Sequence, residues 1–424
     1  MSALAIVLVL AFGQAAVPTG PVDLHAPPSP HPTVNGSIEF KENQRIVNLW
    51  GTHYEMGYAH GVLLGDEIME LVEDYGLQVM IDPVTYRTVV LPLVQYAYTI
   101  DARFDEELDG MLAGMTDSGT DLLIDALGRD LTWWDLFAVN LCADLGQLAC
   151  SATFGWGTAT AADPTLAGGS VLVRDLDWGL DPTGFLNTQA VIITFDSSLP
   201  DEKPIASLSW PGLISVLTAY SEDGVAAMVN YGNHQGYDTP QPNHYTGIGF
   251  ALRSGLERRD VNGDGYENHF DLSHAVASVN TLASFDVSLL SPYPVPGAPT
   301  AGAGSVVEVN FYGLALRDSS NNMDYTPYLN ASDLLAVTNH HRLLYTPVYC
   351  ARYAFQVTQL SIDYAVDTEE LWDMESAISW AGTHHMACFR PNLMDMYVAF
   401  NETFNGAAHS NRVHYTWGEL FPNH

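Results

Sequence analysis

Cys150 opens the run Cys150-Ser151-Ala152-Thr153, and a little further on the chain reads Gly168-Gly169-Ser170-Val171-Leu172-Val173-Arg174-Asp175-Leu176-Asp177-Trp178. A strand, a turn and a second strand ending in Arg-x-x-Asp-Trp set a thiol beside a guanidinium and a carboxylate. The thiolate is the reactive form of cysteine, and nearby positive charge lowers the thiol pKa and enriches it. That is the chemistry of a nucleophile. The alternative is a core cysteine ahead of an ordinary hairpin.

Further segments carry groups of the same kind. Trp210-Pro211-Gly212 is followed by Ser221-Glu222-Asp223-Gly224-Val225-Ala226-Ala227-Met228-Val229-Asn230, and later come Val337-Thr338-Asn339-His340-His341 and Val348-Tyr349-Cys350-Ala351-Arg352-Tyr353. Ahead of the cysteine stands Gly51-Thr52-His53-Tyr54-Glu55-Met56-Gly57-Tyr58-Ala59-His60-Gly61. There is no Gly-x-Ser-x-Gly elbow and no His-Glu-x-x-His, so neither a serine hydrolase nor a zinc peptidase is supported.

Taken in order, these segments resemble the cysteine N-terminal-nucleophile hydrolases: penicillin V acylases, bile salt hydrolases, the acid ceramidase group and the penicillin acyltransferases. The resemblance spans roughly residues 46–353. It departs from the family's Gly-Arg-Asn-Leu-Asp-Trp at one place, where Asp175 stands for the usual Asn. The fold it implies is α+β, a four-layer αββα sandwich with a helical N-terminal pro-segment.

The resemblance also implies a mechanism. The chain folds as an inactive precursor and cuts itself between Ala149 and Cys150. The freed α-amino group, with an ordinary pKa of about 7.7–8, then acts as general base for the thiol. Asp177 would hold that amino group, while Asn230 and Asn339 would steady the tetrahedral oxyanion. Arg174 and Arg352 would favour the thiolate or a substrate carboxylate. A thioester forms and is resolved by water or an amine, with no cofactor needed for catalysis. The substrate is then a small N-acyl amide, and the two fragments of the precursor stay associated. The long stretch ahead of Cys150 points to the self-cleaving branch. Two other readings remain: a calcium-stabilised extracellular binding protein on an inactive scaffold, and a lipid-ester hydrolase of phospholipase B-like type.

A separate signal lies at 260–271, where Asp260, Asn262, Asp264, Tyr266, Asn268 and Asp271 occupy loop positions 1, 3, 5, 7, 9 and 12, with Gly265 at position 6. That spacing fits a calcium loop, closer to half a dockerin than to an EF-hand because Asp271 stands where an EF-hand has Glu. A structural calcium ion is the expectation.

These groups need a scaffold, and the composition supplies one. The chain has 424 residues, 47% of them hydrophobic, enough for a large core. Fifteen Lys+Arg stand against 50 Asp+Glu, a net charge of −35. Nucleic acid and anionic membranes would be repelled. The apolar run Ser2–Phe12, followed by Gln14-Ala15-Ala16, has the length of a signal-peptide core and is too short to span a bilayer. A secreted or periplasmic protein follows. If Cys150 is the nucleophile, Cys142, Cys350 and Cys388 remain, and three cannot all pair.

The expected organisation is a signal peptide over 1–16, a Pro-rich linker over 17–37, a helical pro-segment over 38–149 and the catalytic core over 150–424. Gly57, Gly61 and Gly65 recur every fourth residue in a helix starting near Tyr54. Glycine there costs up to ~1 kcal/mol each relative to Ala, so close approach of a neighbouring backbone is predicted. Val306–Leu316 reads as one strand, and helices fall near 270–282 and 350–361.

Overall fold

Alternating apolar side chains carry the chain through two large sheets. The computed structural model describes residues 33–146, 149–179, 181–232, 237–321, 329, 331–402 and 405–422. The expected signal segment and the linker up to residue 32 lie outside them. Val34–His424 forms one folded unit.

Among the described residues one sheet has nine strands in the order Gly36–Lys41, Gln44–Gly51, Val191–Ser197, Ile205–Ser209, Thr218–Ser221, Ala226–Tyr231, Phe285–Leu290, Gly304–Asn310 and Gly313–Arg317. The other has six: Leu334–Val337, Ala149–Gly155, Val171–Asp177, Thr383–Arg390, Asp395–Phe400 and Val413–Thr416. Ile192, Leu208, Met228 and Val306 of the first sheet share a buried cluster with Phe154, Leu172, Phe389 and Val398 of the second. The sheets therefore stack face to face.

Each outer face is covered by helices. Ile193, Val229 and Val287 pack with Met56, Phe104, Met111 and Leu252 from the helices His53–Glu70, Ala102–Ser118 and Ile248–Glu257. Val173, Ala336 and Met386 pack with Tyr353, Val357 and Leu371 from Ala351–Leu360 and Thr368–Ile378. The architecture is αββα, as expected.

The stretch before Cys150 is not helical throughout: the run from Ile46 to Trp50 reads as a strand in the sequence and is one, and a second strand precedes it. Gly36–Lys41 and Gln44–Gly51 pair antiparallel, and the latter pairs parallel with Val191–Ser197, Ile46 opposite Ile192. Ile46 packs between the sheets while Val47 and Leu49 pack under the helices, as successive residues of a strand buried on both faces do. The linker therefore ends before Gly36 rather than at 37. Val306–Leu316 is likewise two strands of a hairpin, turning after Asn310.

The first helix begins at a capping box: Thr52 Oγ1 accepts from Glu55 N–H at 3.3 Å and Thr52 N–H donates to Glu55 Oε2 at 2.8 Å. Gly57 and Gly61 do meet a backbone, while Gly65 meets the Thr120 side chain. A Cβ on Gly57 would lie 1.9 Å from the Glu107 carbonyl oxygen, and one on Gly61 would lie 2.1 Å from that of Met111. Gly110 and Gly114 return the contact toward Tyr54 and Tyr58. No side chain larger than hydrogen fits between these two helices.

Candidate active site

Ala149 and Cys150 are consecutive residues of the strand Ala149–Gly155, so the structure is that of the uncut chain. Its register with Val171–Asp177 sets Cys150 opposite Leu176, Ser151 opposite Asp175 and Ala152 opposite Arg174. Directly opposed residues share a face, and successive ones alternate. Cys150 and Arg174 therefore face the other sheet, while Ser151, Asp175 and Asp177 face the helices. Arg174 reaches across to donate to the Leu217 carbonyl at 2.9 Å and to the Thr218 hydroxyl.

The Cys150 thiol is fully buried, and burial pushes its pKa up to about 11. Arg174 pulls it down, while Asp177 and Asp175 push it further up. The guanidinium effect expected from the sequence exists, but in the uncut chain desolvation is larger.

Asn339 follows the strand Leu334–Val337, whose Val337 lies opposite Ala152. Two residues further along each strand, Asn339 reaches Cys150. Its Oδ1 accepts the Cys150 N–H at 2.9 Å, and this nitrogen belongs to the Ala149–Cys150 peptide bond. Arg352, at the start of the helix Ala351–Leu360, donates to the same Oδ1 and, at 3.2 Å, to Asp177 Oδ2. The Thr383 hydroxyl donates to Asp177 Oδ1. Burial, reinforced by Asp175, raises the Asp177 pKa well above the ordinary carboxyl range.

The two amides expected as oxyanion donors are both engaged elsewhere. Asn339 Nδ2 donates to the Tyr231 carbonyl at 2.8 Å, and Asn230 Nδ2 to that of Thr338 at 3.1 Å. The structure thus brings Cys150, Asp177, Asn339 and Arg352 into one network. Arg174 shares the face of the Cys150 thiol, opposite to that of Asp177, and Asn230 lies against the segment that carries Asn339.

Sequence reasoning missed Glu375. From the helix Thr368–Ile378 its Oε2 lies 2.6 Å from the Ser151 hydroxyl, and its Oε1 accepts from Thr153 Oγ1 at 2.8 Å and Gln356 Nε2 at 2.9 Å. No motif marks it. Only the i, i+3, i+4 burial of Leu371, Trp372, Met374 and Glu375 on that helix would have flagged an acid facing inward.

An apolar cleft of about 100 Å³ lies between the N-terminal helices and the core. Leu71, Tyr75, Met80 and Tyr86 line it from one side, Trp178, Leu186, Trp210 and Leu217 from the other. Trp178 follows Asp177 directly, and the Leu217 carbonyl is the one that takes Arg174.

The loop at 260–271 joins the helices Ile248–Glu257 and His269–Ala277. Gly265, at φ +85°, donates to Asp260 Oδ1 at 2.9 Å; Asn262 Oδ1 accepts from Asp264 N–H and Asp264 Oδ1 from Tyr266 N–H, both at 2.9 Å. Asn268 caps the second helix, and Asp271 is the third residue of the capping box. Its two oxygens accept from Asn262 and Asn268 N–H at 3.1 and 3.0 Å. The turn has the form a calcium loop needs, with its oxygens on its own N–H groups.

Among the described residues, acid and histidine atoms converge within 4.8 Å at two places, His53–Glu202–Glu257 and Asp286–Glu308–His341, and the acids of the 260–271 loop are not one of them. Arg253 and Arg103 bond the acids around the first, and Arg317 bonds Glu308 of the second at 2.9 Å. Guanidinium groups in those positions repel a metal ion, and both are ion-pair networks. All four cysteines are free thiols. No described helix is long and apolar enough to cross a membrane.

No family model matches the chain. Two Dictyostelium discoideum proteins are similar to part of it: dcd1B, 28% identical over 204 residues, and dcd1A, 26% identical over 195 residues. These matches cover 45% and 42% of this chain, which spans 39% and 42% of the length of those relatives. Among solved structures, an N-acylethanolamine-hydrolysing acid amidase orthologue from Caenorhabditis elegans aligns with TM-score 0.41 and 14% identity, over 57% of this chain and 94% of that one. Penicillin V acylase from Agrobacterium tumefaciens aligns with TM-score 0.38 and 11% identity, over 64% and 87%. A mutant conjugated bile acid hydrolase from Clostridium perfringens aligns with TM-score 0.35 and 10% identity, over 62% and 97%. The chain itself has αββα layering, with Cys150 next to the start of the inner strand Ala149–Gly155.

Proposed function

We propose that the chain is an exported cysteine amidase that cuts itself between Ala149 and Cys150 and then hydrolyses or transfers the acyl group of a small N-acyl amide. The observation that carries this reading is the hydrogen bond from the Cys150 nitrogen to Asn339, with Arg352 and Asp177 bonded around it. The residue that would become the new N-terminus already has its partners in the uncut chain.

In the first step the Cys150 sulfur attacks the Ala149 carbonyl, the C–N bond breaks, and the nitrogen takes up the thiol proton. Water then hydrolyses the resulting thioester, leaving a carboxyl on Ala149 and a free thiol and α-amine on Cys150. In each later cycle that amine takes the thiol proton as the sulfur attacks the substrate carbonyl, and returns it to the leaving amine. The apolar cleft beside Trp178 and Leu217 suits an apolar acyl chain, since a groove of this lining stabilises a ligand by about 0.8 kcal/mol per buried CH₂. The strand Gln44–Gly51, inside the nine-stranded sheet, would keep the N-terminal fragment in place after the cut.

Intact mass and gel analysis of the purified protein beside Cys150→Ala tests this. Two fragments, the second beginning at Cys150, and one uncut variant chain are expected. A wild type that stays whole at every pH overturns it. A second reading, a binding protein on an inactive scaffold, is favoured by one observation: the thiol is buried and neutral, with both amide NH₂ groups held on carbonyls. That reading requires an uncut chain that holds calcium at 260–271.

A further inference from the structure

Ser151 follows the nucleophile, and its hydroxyl lies 2.6 Å from Asp175 Oδ1 and 2.6 Å from Glu375 Oε2. A hydroxyl has one proton to give. With both carboxyls ionised, one of these contacts would set lone pair against lone pair at 2.6 Å. One carboxyl must therefore bring a proton of its own. The rest of the arrangement agrees: all three residues are fully buried, and Asp175 Oδ2 has no hydrogen-bond partner among the described residues. Burial raises both acids, Glu375 to about 8.

We propose that Asp175 and Glu375 hold one proton between them through the Ser151 hydroxyl, and that this shared proton keeps the Cys150 strand seated against Asn339 and Arg352. Asp175 is thus a titratable stand-in at the place where the resembled family carries an amide. Asp175 and Glu375 are positioning residues and do not touch the reacting atoms.

The fixed and titratable groups around the pair limit where it loses its proton. Cys150 on its own strand is neutral below about 11. Arg174 and Arg352 draw Asp175 toward ionisation, whereas Asp177 and Asp175 each oppose the other's charge. His385, on the strand Thr383–Arg390, is held neutral by burial and by Arg174. Besides Asp177, whose pKa burial also raises, the group whose charge changes between neutral and mildly alkaline pH in this layer is the carboxyl pair. Loss of its proton leaves two anions on one serine.

The sign follows from the raised pKa of the pair in the fold. Its contribution to stability is full below the ordinary carboxyl range and is lost as pH rises through about 8. Glu375→Gln supplies the missing hydrogen permanently, because its NH₂ donates to Ser151 while its oxygen still accepts from Thr153 and Gln356.

Two measurements test the proposal, and the proposal rests on the self-cleavage reading only in the second. First, melting temperature is followed from pH 6 to 9.5 in the uncut Cys150→Ala chain, with and without E375Q. A difference between the two curves that widens by several degrees from pH 6 to about pH 8 and levels off above it is expected. Parallel curves overturn the shared proton. Second, the self-cleavage rate of E375Q relative to wild type should rise at least tenfold between pH 7 and 9, while Glu375→Ala should cut at least tenfold more slowly than wild type at pH 7. A pH-independent ratio overturns the positioning role. A wild type that never cuts sinks the amidase reading, while the melting curves still decide the proton.

Discussion

Asn339 Oδ1 accepts the hydrogen bond of the Cys150 N–H at 2.9 Å across 189 residues of sequence, and Arg352 donates to the same oxygen. The amide side chain holds the very nitrogen that the cut would release.

Asn339→Ala should therefore slow self-cleavage. Loss of a buried partner of this kind costs about 1–3 kcal/mol, or roughly 5- to 150-fold in rate. Asn339→Asp keeps an accepting oxygen and should lose less. A gel time course ranks the three proteins. Equal rates in the alanine variant would remove Asn339 from the mechanism.

Two thiols should differ in reactivity before the cut and both react after it. Burial alone would raise the pKa of Cys350, but contacts from His340, the Tyr353 N–H, Thr338 and Arg352 outweigh it and bring the thiol down to about 6. Cys350 is also partly exposed, whereas Cys150 is buried with its pKa pushed up to about 11. Iodoacetamide at pH 7 should label Cys350 in the Cys150-containing uncut chain and leave Cys150 untouched. Peptide mass spectrometry checks this. After the cut, Cys150 should label as well.

The ion-pair network at His53 should give the fold an alkaline limit. His53 Nδ1 lies 2.8 Å from Glu107 and its Nε2 3.0 Å from Glu202, with Glu107 paired to Arg253 at 2.8 Å. Burial would lower the imidazole's pKa, yet the two carboxylates outweigh it and bring it up to about 9. The stabilisation is complete below the ordinary histidine pKa of about 6.5 and disappears as pH rises through about 9. The melting-temperature gap between Cys150→Ala and its His53→Gln derivative should narrow over that range. Glu107→Gln, which takes a shared carboxylate from buried His53 and leaves Arg253 only Glu257, should cost about 3–5 kcal/mol in chemical denaturation.

Calcium at millimolar concentration should raise the melting temperature of the wild type, and EDTA should reverse the effect. Asp264→Asn with Asp271→Asn should abolish the response. An unresponsive wild type means that the N–H groups of the loop are its permanent partners.

The chemistry was more legible in the sequence than its orientation. Cys150, Asp177, Asn339 and Arg352 were each readable because the segments around them resemble a known family, and the αββα layering came from the same source. The glycines at 57, 61 and 65 were readable from physics alone, since three helix-weakening residues on one face need a close neighbour. The opposite facing of Arg174 and Asp177 was implicit in the period of a strand, but which face met the helices required the register. Glu375 was invisible because nothing local marks an acid whose partner, Ser151, lies 224 residues away. The inner strand Gln44–Gly51 was readable from the run Ile46 to Trp50. Its parallel partner was not, because pairing Ile46 with Ile192, 146 residues on, depends on the whole sheet.

The bond between Ala149 and Cys150 lies within a strand whose Cys150 is fully buried. A cut there turns one neutral amide into an ammonium and a carboxylate in a place largely closed to water. New charges in such surroundings are stable only beside opposite ones. Asp177 and Arg352 are already bonded to each other at that point. Maturation would then divide one ion pair into two, with the newborn ammonium taking the acid and the newborn carboxylate competing for the arginine.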